Sequence, residues 1–375
     1  MKISLIINII CLISIVYSYK LEHTLYHPSG VNLLTKVKTY ASTISYLASS
    51  GKDWSIKIWD VTNGQVKFTF DQSNGGHSNT VNSFASFDNG YLASGDYDAL
   101  IKIWDINNGE LKYTFDQVSG GHSSLITSLA SLENFLLASG SFGEVKIWDI
   151  TNGKLKYTFD QSNEGHFSQV YSFASLQNGY LASGSYDMTI KIWDITNGRL
   201  KYTLDLSNGG HSNTVKSLVS LENGYLASES LDVIKIWDIT NGKLKYTFDR
   251  SNGGHSDRIS ALVSLNNGYI ASCSFGVVKI WDPLNGNLKF TFDETNDGHS
   301  TPIYTLASLE NGYLASGSYD TTIKIWDVTN GKLKYTFDQS NGGHSGSVNL
   351  LVSLENDYLA SGSYDEKIKI WNTAN

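Results

Sequence analysis

Seven histidines stand at one position of an internal repeat, where a set of imidazoles could hold metal ions or act in catalysis. Each follows a glycine and precedes a tryptophan by 26 or 27 residues. They are His77, His122, His166, His211, His255, His299 and His344. Imidazole is a common metal ligand, but a buried imidazole also needs hydrogen-bond partners for purely structural reasons. The spacing alone therefore leaves both a metal ring and a structural role open.

The elements that position these histidines repeat along almost the whole chain. A Trp-Asp pair recurs every 44 or 45 residues, and the last copy ends in Trp371-Asn372. The tryptophans are Trp59, Trp104, Trp148, Trp193, Trp237, Trp281, Trp326 and Trp371. Within one copy, Gly76 to Asp116, alternating apolar runs predict four strands joined by loops that contain Asn-Gly. Asn-Gly between β-formers favours primed hairpin turns. A period of this length indicates a solenoid or a propeller.

Gly-His at the start and Trp-Asp near the end of each copy resemble the WD-repeat β-propeller family. This resemblance implies an all-β fold, a single eight-bladed β-propeller of four-stranded antiparallel blades. The repeats would end near residues 60, 105, 149, 194, 238, 282, 327 and 372.

The family resemblance also implies that each histidine joins a serine, an aspartate and the tryptophan in a hydrogen-bonded network inside its blade. The matching sets are His77, Ser94, Asp98 and Trp104; His166, Ser183, Asp187 and Trp193; His299, Ser316, Asp320 and Trp326; and His344, Ser361, Asp365 and Trp371. Three other blades have a loop shortened by one residue before the tryptophan, and the Trp59 blade lacks Gly-His. We expect these four blades to be locally less stable.

The two ends of the repeat array are complementary. Residues 20–30 match the outer-strand segment 332–342, whereas the last repeat stops soon after Trp371 and lacks an outer strand. We therefore predict that Leu21 to Tyr26 pairs with the final blade and closes the ring, which would cover an otherwise open sheet edge.

Residues 1–18 have the pattern of a secretory signal peptide. Lys2 precedes an apolar run that is too short to span a membrane, and Ser18 suits the cleavage site. The prediction is a signal peptide at 1–18, a propeller at 19–375 and a secreted or secretory-lumen protein with no membrane span after cleavage. The alternatives are a cytoplasmic protein, or one anchored to the membrane by an uncleaved leader. Of the two cysteines, Cys11 and Cys273, only the second would remain after cleavage, which excludes an internal disulfide.

Composition narrows the classes of function. The formal net charge of −8 argues against a nucleic-acid surface. We find no catalytic motif, phosphate-binding loop or isolated Cys/His pair, so the sequence predicts no enzyme activity, no cofactor and no metal. Aspartates that follow the outer strands admit either an acidic rim or ordinary solvated strand ends. They are Asp71, Asp116, Asp160, Asp205, Asp249, Asp293 and Asp338.

The near-identical repeats differ most after the histidine and in the short loop before the Trp-Asp strand. A constant framework that presents variable loops is typical of a binding surface, although drift after duplication would give the same pattern. The predicted contact residues are Leu125, Tyr171, Lys216, Arg258 and Tyr304, since aromatic residues and arginine dominate binding hot spots.

The expected function is a non-catalytic, monomeric scaffold that binds a protein or peptide through its loop-rich face. The alternatives are a secretory-pathway propeller enzyme or carbohydrate-binding module, and a structural subunit of a larger assembly.

Overall fold

The computed structural model describes residues 19–37 and 46–374. The described residues form eight four-stranded antiparallel sheets arranged as the blades of a propeller. The predicted all-β, eight-bladed fold is confirmed. The predicted signal peptide at residues 1–18 lies outside the described residues.

The blades are numbered in chain order, and their strands follow the repeat. Blade 1 contains β2 (Leu33–Val37), β3 (Tyr46–Ser50), β4 (Ile56–Asp60) and β5 (Gln65–Phe70). Blade 2 contains β6 (Val81–Ser86), β7 (Tyr91–Asp96), β8 (Ile101–Asp105) and β9 (Glu110–Phe115). Blade 3 contains β10 (Ser128–Leu132), β11 (Leu136–Gly140), β12 (Val145–Asp149) and β13 (Lys154–Phe159). Blade 4 contains β14 (Val170–Leu176), β15 (Tyr180–Ser185), β16 (Ile190–Asp194) and β17 (Arg199–Leu204).

The second half continues this order. Blade 5 contains β18 (Ser217–Ser220), β19 (Tyr225–Ser230), β20 (Val233–Asp238) and β21 (Lys243–Phe248). Blade 6 contains β22 (Ala261–Ser264), β23 (Ile270–Cys273), β24 (Val278–Asp282) and β25 (Asn287–Phe292). Blade 7 contains β26 (Ile303–Ser308), β27 (Tyr313–Ser318), β28 (Ile323–Asp327) and β29 (Lys332–Phe337). Blade 8 contains β30 (Val348–Ser353), β31 (Tyr358–Ser363), β32 (Lys367–Asn372) and β1 (Lys20–Tyr26). Short 3-10 turns lie at Gln72–Asn74, Glu133–Phe135, Gln161–Asn163, Gln177–Gly179, Leu206–Asn208, Glu222–Gly224, Arg250–Asn252, Glu294–Asn296 and Gln339–Asn341.

The N-terminal strand closes the ring, as predicted. Strand β1 pairs antiparallel with β32, so that Leu21 lies opposite Trp371 and Leu25 opposite Ile368. Leu25 is buried, and Tyr19 stacks on Tyr335 of blade 7 with ring centroids 4.7 Å apart. The first described segment therefore completes a sheet and also packs against the preceding blade.

The core lies between neighbouring blades, because each sheet buries its faces against the next. In blades 2, 3, 4, 6, 7 and 8 the tryptophan packs on a phenylalanine at the end of the preceding outer strand, whereas Leu204 stands at that place before Trp237 of blade 5. Trp193 of blade 4 lies 4.3 Å from Phe159 of blade 3, and both side chains are almost fully buried. Large aromatic rings bury much apolar area, so this repeated pair supplies a major part of the contact between blades.

The Asn-Gly hairpins only partly follow the primed turns that the sequence suggested. At Asn108-Gly109, only the glycine has a positive φ, of 79°. The glycine amide donates to the carbonyl of Asp105, and Asp105 pairs with Glu110 across a four-residue loop. The longer loop places only one residue in the left-handed region, so this hairpin is not a primed turn. At Asn178-Gly179, both residues have a positive φ, of 62° and 74°, as the primed type requires.

The loop that leads into each Gly-His is held by the aspartate at the end of the outer strand. Asp160 caps the turn at Gln161–Asn163: its carboxylate accepts from the amide of Ser162, and its own amide donates to the side chain of Asn163. Gly165 then donates to the Asp160 carbonyl at 2.6 Å. A Cβ on Gly165 would lie 2.4 Å from the carbonyl carbon of Asp160. The glycine of Gly-His is thus required by close backbone approach.

Equivalent capping explains most of the aspartates that had suggested an acidic rim. The same two-way cap forms at Asp71, Asp160, Asp205, Asp249, Asp293 and Asp338. Hydrogen bonds from the neighbouring serine lower the pKa of Asp160, so the carboxylate stays ionised while it caps its own loop. These side chains have a structural partner inside the chain.

Candidate functional site

The histidine networks lie inside the blades. In blade 4, the Trp193 indole donates to the Ser183 hydroxyl at 2.8 Å, and His166 Nε2 lies 2.7 Å from that hydroxyl. His166 Nδ1 lies 2.9 Å from the Asp187 carboxylate. If Nδ1–H donates to the carboxylate, Nε2 accepts from the serine, so every polar group is satisfied.

Two more blades carry the same geometry with the residues that the family resemblance implied. In blade 7, His299 contacts Asp320 at 2.7 Å and Ser316 at 2.8 Å. In blade 8, His344 contacts Asp365 at 3.0 Å and Ser361 at 2.7 Å. The indoles of Trp326 and Trp371 donate to these serines.

Electrostatics in these blades favour a neutral histidine and an ionised aspartate. Burial lowers the pKa of His166, although its hydrogen bond to Asp187 raises it. Burial raises the pKa of Asp320, but hydrogen bonds from His299 and Thr322 outweigh burial and hold it at about 2. Fully buried imidazoles with three satisfied neighbours are poor candidates for metal binding or proton transfer.

Blade 2 corrects one predicted member of the network. His77 Nδ1 contacts Asp96 at 2.6 Å, whereas Asp98 accepts from Ser78 and Asn79 near the surface. Other complete blades have serine where blade 2 has Asp96. Because Asp96 is on the strand and fully buried, its carboxylate reaches the imidazole before Asp98 can. The assignment of Asp98 to the network was wrong; Ser94 and Trp104 take their implied places.

The blades with a shortened loop differ in what occupies the place of the aspartate beside the histidine. In blade 3, Glu144 contacts His122 Nδ1 at 3.0 Å, so a longer side chain replaces the deleted residue. In blades 5 and 6, His211 and His255 keep their serine contacts, but within the described part of the chain neither imidazole contacts a carboxylate. Burial lowers the pKa of His211 to about 3 and that of His255 to about 4.

Blade 1 has a histidine that sequence spacing did not reveal. His27 follows β1 directly and is fully buried, with Nδ1 3.3 Å from the Ser29 hydroxyl. A Cβ on Gly51 would lie 2.2 Å from the His27 ring. His27 thus lies beside blade 1 next to the closing strand, where Trp59 still donates to Ser49. Its Nε2 has no hydrogen-bond partner among the described residues, so it does not reproduce the serine contact of the Gly-His blades.

The loop-rich face carries a ring of exposed apolar side chains that the sequence reasoning missed. They stand at one position of the loop before the Trp-Asp strand, and we call them the apolar collar. The collar consists of Tyr97, Phe142, Tyr186, Leu231, Phe275, Tyr319 and Tyr364, exposed between 41% for Leu231 and 69% for Tyr364. Reasoning from variation between repeats passed over them because they hardly vary. A search for apolar residues in polar loops would have found them.

Four of the predicted contact residues lie near this collar. Tyr171 packs edge-to-face on Tyr186 at 6.4 Å, and the Lys216 ammonium lies 5.8 Å from the Tyr171 ring. Tyr304 packs in the same way on Tyr319. Lys216 and Arg258 are exposed and line one cavity of about 560 Å³ between blades 5 and 6. Because aromatic and cationic side chains meet here, this part of the face can contact both apolar and charged groups.

Leu125 is the predicted residue that the structure does not place with the others. Its side chain is half-buried, and its carbonyl accepts from the Ser141 hydroxyl at 2.9 Å. It contributes to the fold of its loop more than to the exposed surface.

Within 19–37 and 46–374, no group of three or more His, Cys, Asp and Glu side chains has the arrangement of a metal site. In the same ranges, no helix has the length and apolar character needed to cross a bilayer.

The comparisons with known proteins agree with this geometry. The family model described as "WD domain, G-beta repeat" matches residues 19–60, 65–105, 153–194, 287–327 and 331–372, more than half of the chain. The chain therefore belongs to the WD-repeat family. The blades that end at Trp148, Trp237 and Trp281, which have shortened loops, are outside these matches.

A solved structure gives the same picture of the fold. The crystal structure of the computationally designed Ika8 protein is similar to this chain with a TM-score of 0.76 and 29% sequence identity. The similarity covers 93% of this chain and 98% of the designed one. No curated protein matches the chain.

Proposed function

We propose that this WD-repeat propeller is a non-catalytic, monomeric scaffold that binds a protein or peptide across the apolar collar. The observation that carries the proposal is the collar itself: seven blades each expose a large apolar side chain on the same face. Large apolar side chains that are exposed together on one face often mark a binding site. Blade 1 has the exposed Lys52 at this position and adds the partly exposed Trp54 two residues later.

Rigidity supports the same function. Each collar residue follows a buried strand end, and backbone hydrogen bonds fix its loop: Tyr186 donates to Gln169 and Tyr319 to Pro302. Side chains held in place lose little conformational entropy when a partner binds. Aromatic rings are also enriched at the centres of protein interfaces.

An enzyme or carbohydrate-binding propeller is less well supported. Hydrolytic chemistry on a glycan needs a pair of carboxylates. The cavity between blades 5 and 6 is lined by a single carboxylate, Glu229, beside two cations.

The test is selection of peptides that bind the purified chain, followed by affinity measurements on collar variants. The triple variant Tyr186→Ser, Phe275→Ser, Tyr319→Ser should weaken the selected peptides at least tenfold, about 1.4 kcal/mol or more. Leu284→Ser is the matched control, because Leu284 is 56% exposed, as Tyr319 is, but lies in a hairpin on the opposite face. It should change affinity less than twofold. Failure to select any binder, or equal loss in both variants, would refute the proposal.

We also propose that the protein enters the secretory pathway, on the basis of the signal-like residues 1–18. Sequencing the N-terminus of the mature protein should give Tyr19. A mature chain that begins at Met1 in the cytoplasm would contradict this.

A further inference from the structure

Glu229 occupies a position where five other blades have glycine, while blades 1 and 6 have the small residues Ser50 and Cys273. Gly95, Gly140, Gly184, Gly317 and Gly362 stand at the equivalent place on the second strand of their blades. In blade 4, a Cβ on Gly184 would lie 2.7 Å from the Val215 side chain, on the first segment of the next blade. A side chain at this position must therefore enter the seam between two blades.

The seam between blades 5 and 6 is open enough to receive it. The innermost strands there, β18 (Ser217–Ser220) and β22 (Ala261–Ser264), have four residues each, whereas β14 (Val170–Leu176) has seven. The resulting cavity of about 560 Å³ is lined by Lys216, Glu229, Arg258 and the start of β22. A cavity of this size accommodates an amino-acid side chain.

The Glu229 carboxyl is buried in the cavity wall without a full set of partners. The residue is only 3% exposed, and its Oε1 has no hydrogen-bond partner in the described structure. Burial raises the pKa of Glu229 to about 8, although Arg258 and Lys216 both act to lower it. The other titratable neighbour is Cys273 on β23. Burial raises the pKa of its thiol, so the thiol stays protonated. At neutral pH, Glu229 is therefore mostly a neutral acid that can donate a hydrogen bond.

Two cations stand at the same cavity. Lys216 precedes β18 and Arg258 precedes β22, so one comes from each side of the seam. Both are exposed, and in the described part of the chain neither forms an ion pair with a carboxylate. A hydrogen-bond donor beside two unpaired cations is complementary to an anionic oxygen group, and it repels a basic one.

We propose that this cavity, the Glu229 pocket, receives the carboxylate of an aspartate or glutamate side chain from the bound peptide. Glu229 donates its proton in a hydrogen bond to the incoming carboxylate, and Lys216 and Arg258 neutralise its charge. The inference rests on the proposed peptide-binding function, and it names one chemical requirement of the partner. The collar would supply apolar contact area, and the pocket would select an acidic residue.

The first experiment measures binding of labelled octaglutamate, octaglutamine and octalysine by fluorescence anisotropy at pH 6.5 and constant ionic strength. Octaglutamate should bind best, and the double variant Lys216→Ala, Arg258→Ala should bind it at least tenfold more weakly. The matched control is Lys154→Ala, Lys332→Ala, which removes the same charge from exposed outer-strand positions. Preference for octalysine, or equal losses in the two double variants, would overturn the inference.

The second experiment isolates the proton of Glu229. Between pH 6.5 and pH 9.5, ionisation of a group with a pKa of about 8 should weaken wild-type binding of octaglutamate by about tenfold or more. Glu229→Gln keeps the shape and a donor but cannot ionise, so this variant should not show the tenfold loss of affinity between pH 6.5 and pH 9.5. Any loss of charge on Lys216 affects both proteins and cancels in the comparison. Identical pH profiles would overturn the role of Glu229.

A third measurement distinguishes a carboxylate ligand from a phosphate ligand. Together with the peptide selection, it also distinguishes failure of the pocket inference from failure of the proposed scaffold function. Glutarate should displace octaglutamate at lower concentrations than inorganic phosphate; the reverse order would assign the pocket to phosphate and refute the carboxylate. If library-selected peptides bind through the collar while octaglutamate does not bind at all, the pocket inference fails and the scaffold function stands.

Discussion

Blades 4 and 5 are neighbours with nearly the same sequence, yet they use buried acids differently. Blade 4 places its carboxylate, Asp187, against the imidazole of His166, and a glycine stands at the seam. Among the described residues, blade 5 gives His211 no carboxylate partner and puts Glu229 in the seam instead. Both blades retain the Trp–Ser–His contacts with almost equal distances.

The difference teaches that the repeat has a fixed part and a dispensable part. The buried tryptophan, its hydrogen bond to the serine and the capped Gly-His loop recur in blades 4 and 5 alike. The contact between a carboxylate and the histidine does not recur. Its loss coincides with the shortened loop and with the open seam at blades 5 and 6, where the cavity lies. Blade 3 shows that a shortened loop need not lose the contact, because Glu144 restores it.

The largest predicted effect concerns the fixed part. Gly165→Ala in blade 4 and Gly210→Ala in blade 5 should each lower the free energy of unfolding by about 3 kcal/mol, since the new Cβ would meet the backbone of Asp160 or Asp205 at 2.4 Å. Urea denaturation gives the values, with Lys154→Ala on the exposed outer strand as the control. A large loss of unfolding free energy in the blade 4 variant with little loss in the blade 5 variant would contradict the claim that the two blades share the capped Gly-His loop.

The next effect concerns the part that differs. Asp187→Asn should cost about 2 kcal/mol, because Asp187 accepts from His166, Phe167 and Thr189 in a largely buried site. Asp232→Asn is the matched change in blade 5, where the partner is the exposed Arg250 at 2.9 Å. A surface ion pair of this kind should cost less than about 0.5 kcal/mol. Equal destabilisation by the two substitutions would show that blade 5 needs its aspartate after all.

The remaining effect, which is at most as large as that of Asp187→Asn, is a pH dependence that distinguishes the two regions. The pKa of His211 falls from its ordinary value of 6.5 to about 3 in the folded state, so its contribution to stability is present above pH 6.5 and is lost as pH falls toward 3. By pH 5 this loss should reach about 2 kcal/mol, an upper value if blade 5 relaxes around the charged ring.

Blade 7 supplies the contrast. Asp320 has a pKa of about 2 in the folded state against 3.8, so its contribution is complete above about pH 4 and is lost between pH 4 and pH 2. Urea denaturation at pH 7, 5 and 3 should show that His211→Gln flattens the dependence between pH 7 and 5. Asp320→Asn should change it only below pH 4. If the two variants flattened the same pH range, the two networks would not differ electrostatically.

Much of the fold could be predicted because the same motifs recur in every repeat, so a pattern that is weak in one blade is supported by the others. Recurring Trp-Asp and Gly-His spacing, together with the matched ends at Leu21 and Trp371, was enough for the number of blades and the closing strand. Site details were less predictable. The choice of Asp96 over Asp98 depends on which carboxylate lies deeper, and the Glu144 contact depends on the reach of a longer side chain. The collar was overlooked because variation was taken as the only sign of function.

The amino-acid sequence by itself determined the all-β propeller, the blade count and the pairing of first and last segments, since local hydrophobic alternation and a fixed period encode them. Tertiary structure alone decided which groups meet across a seam. Glu229, Lys216 and Arg258 come from two blades, and only the packing of one sheet against the next brings a buried acid and two cations to a single cavity.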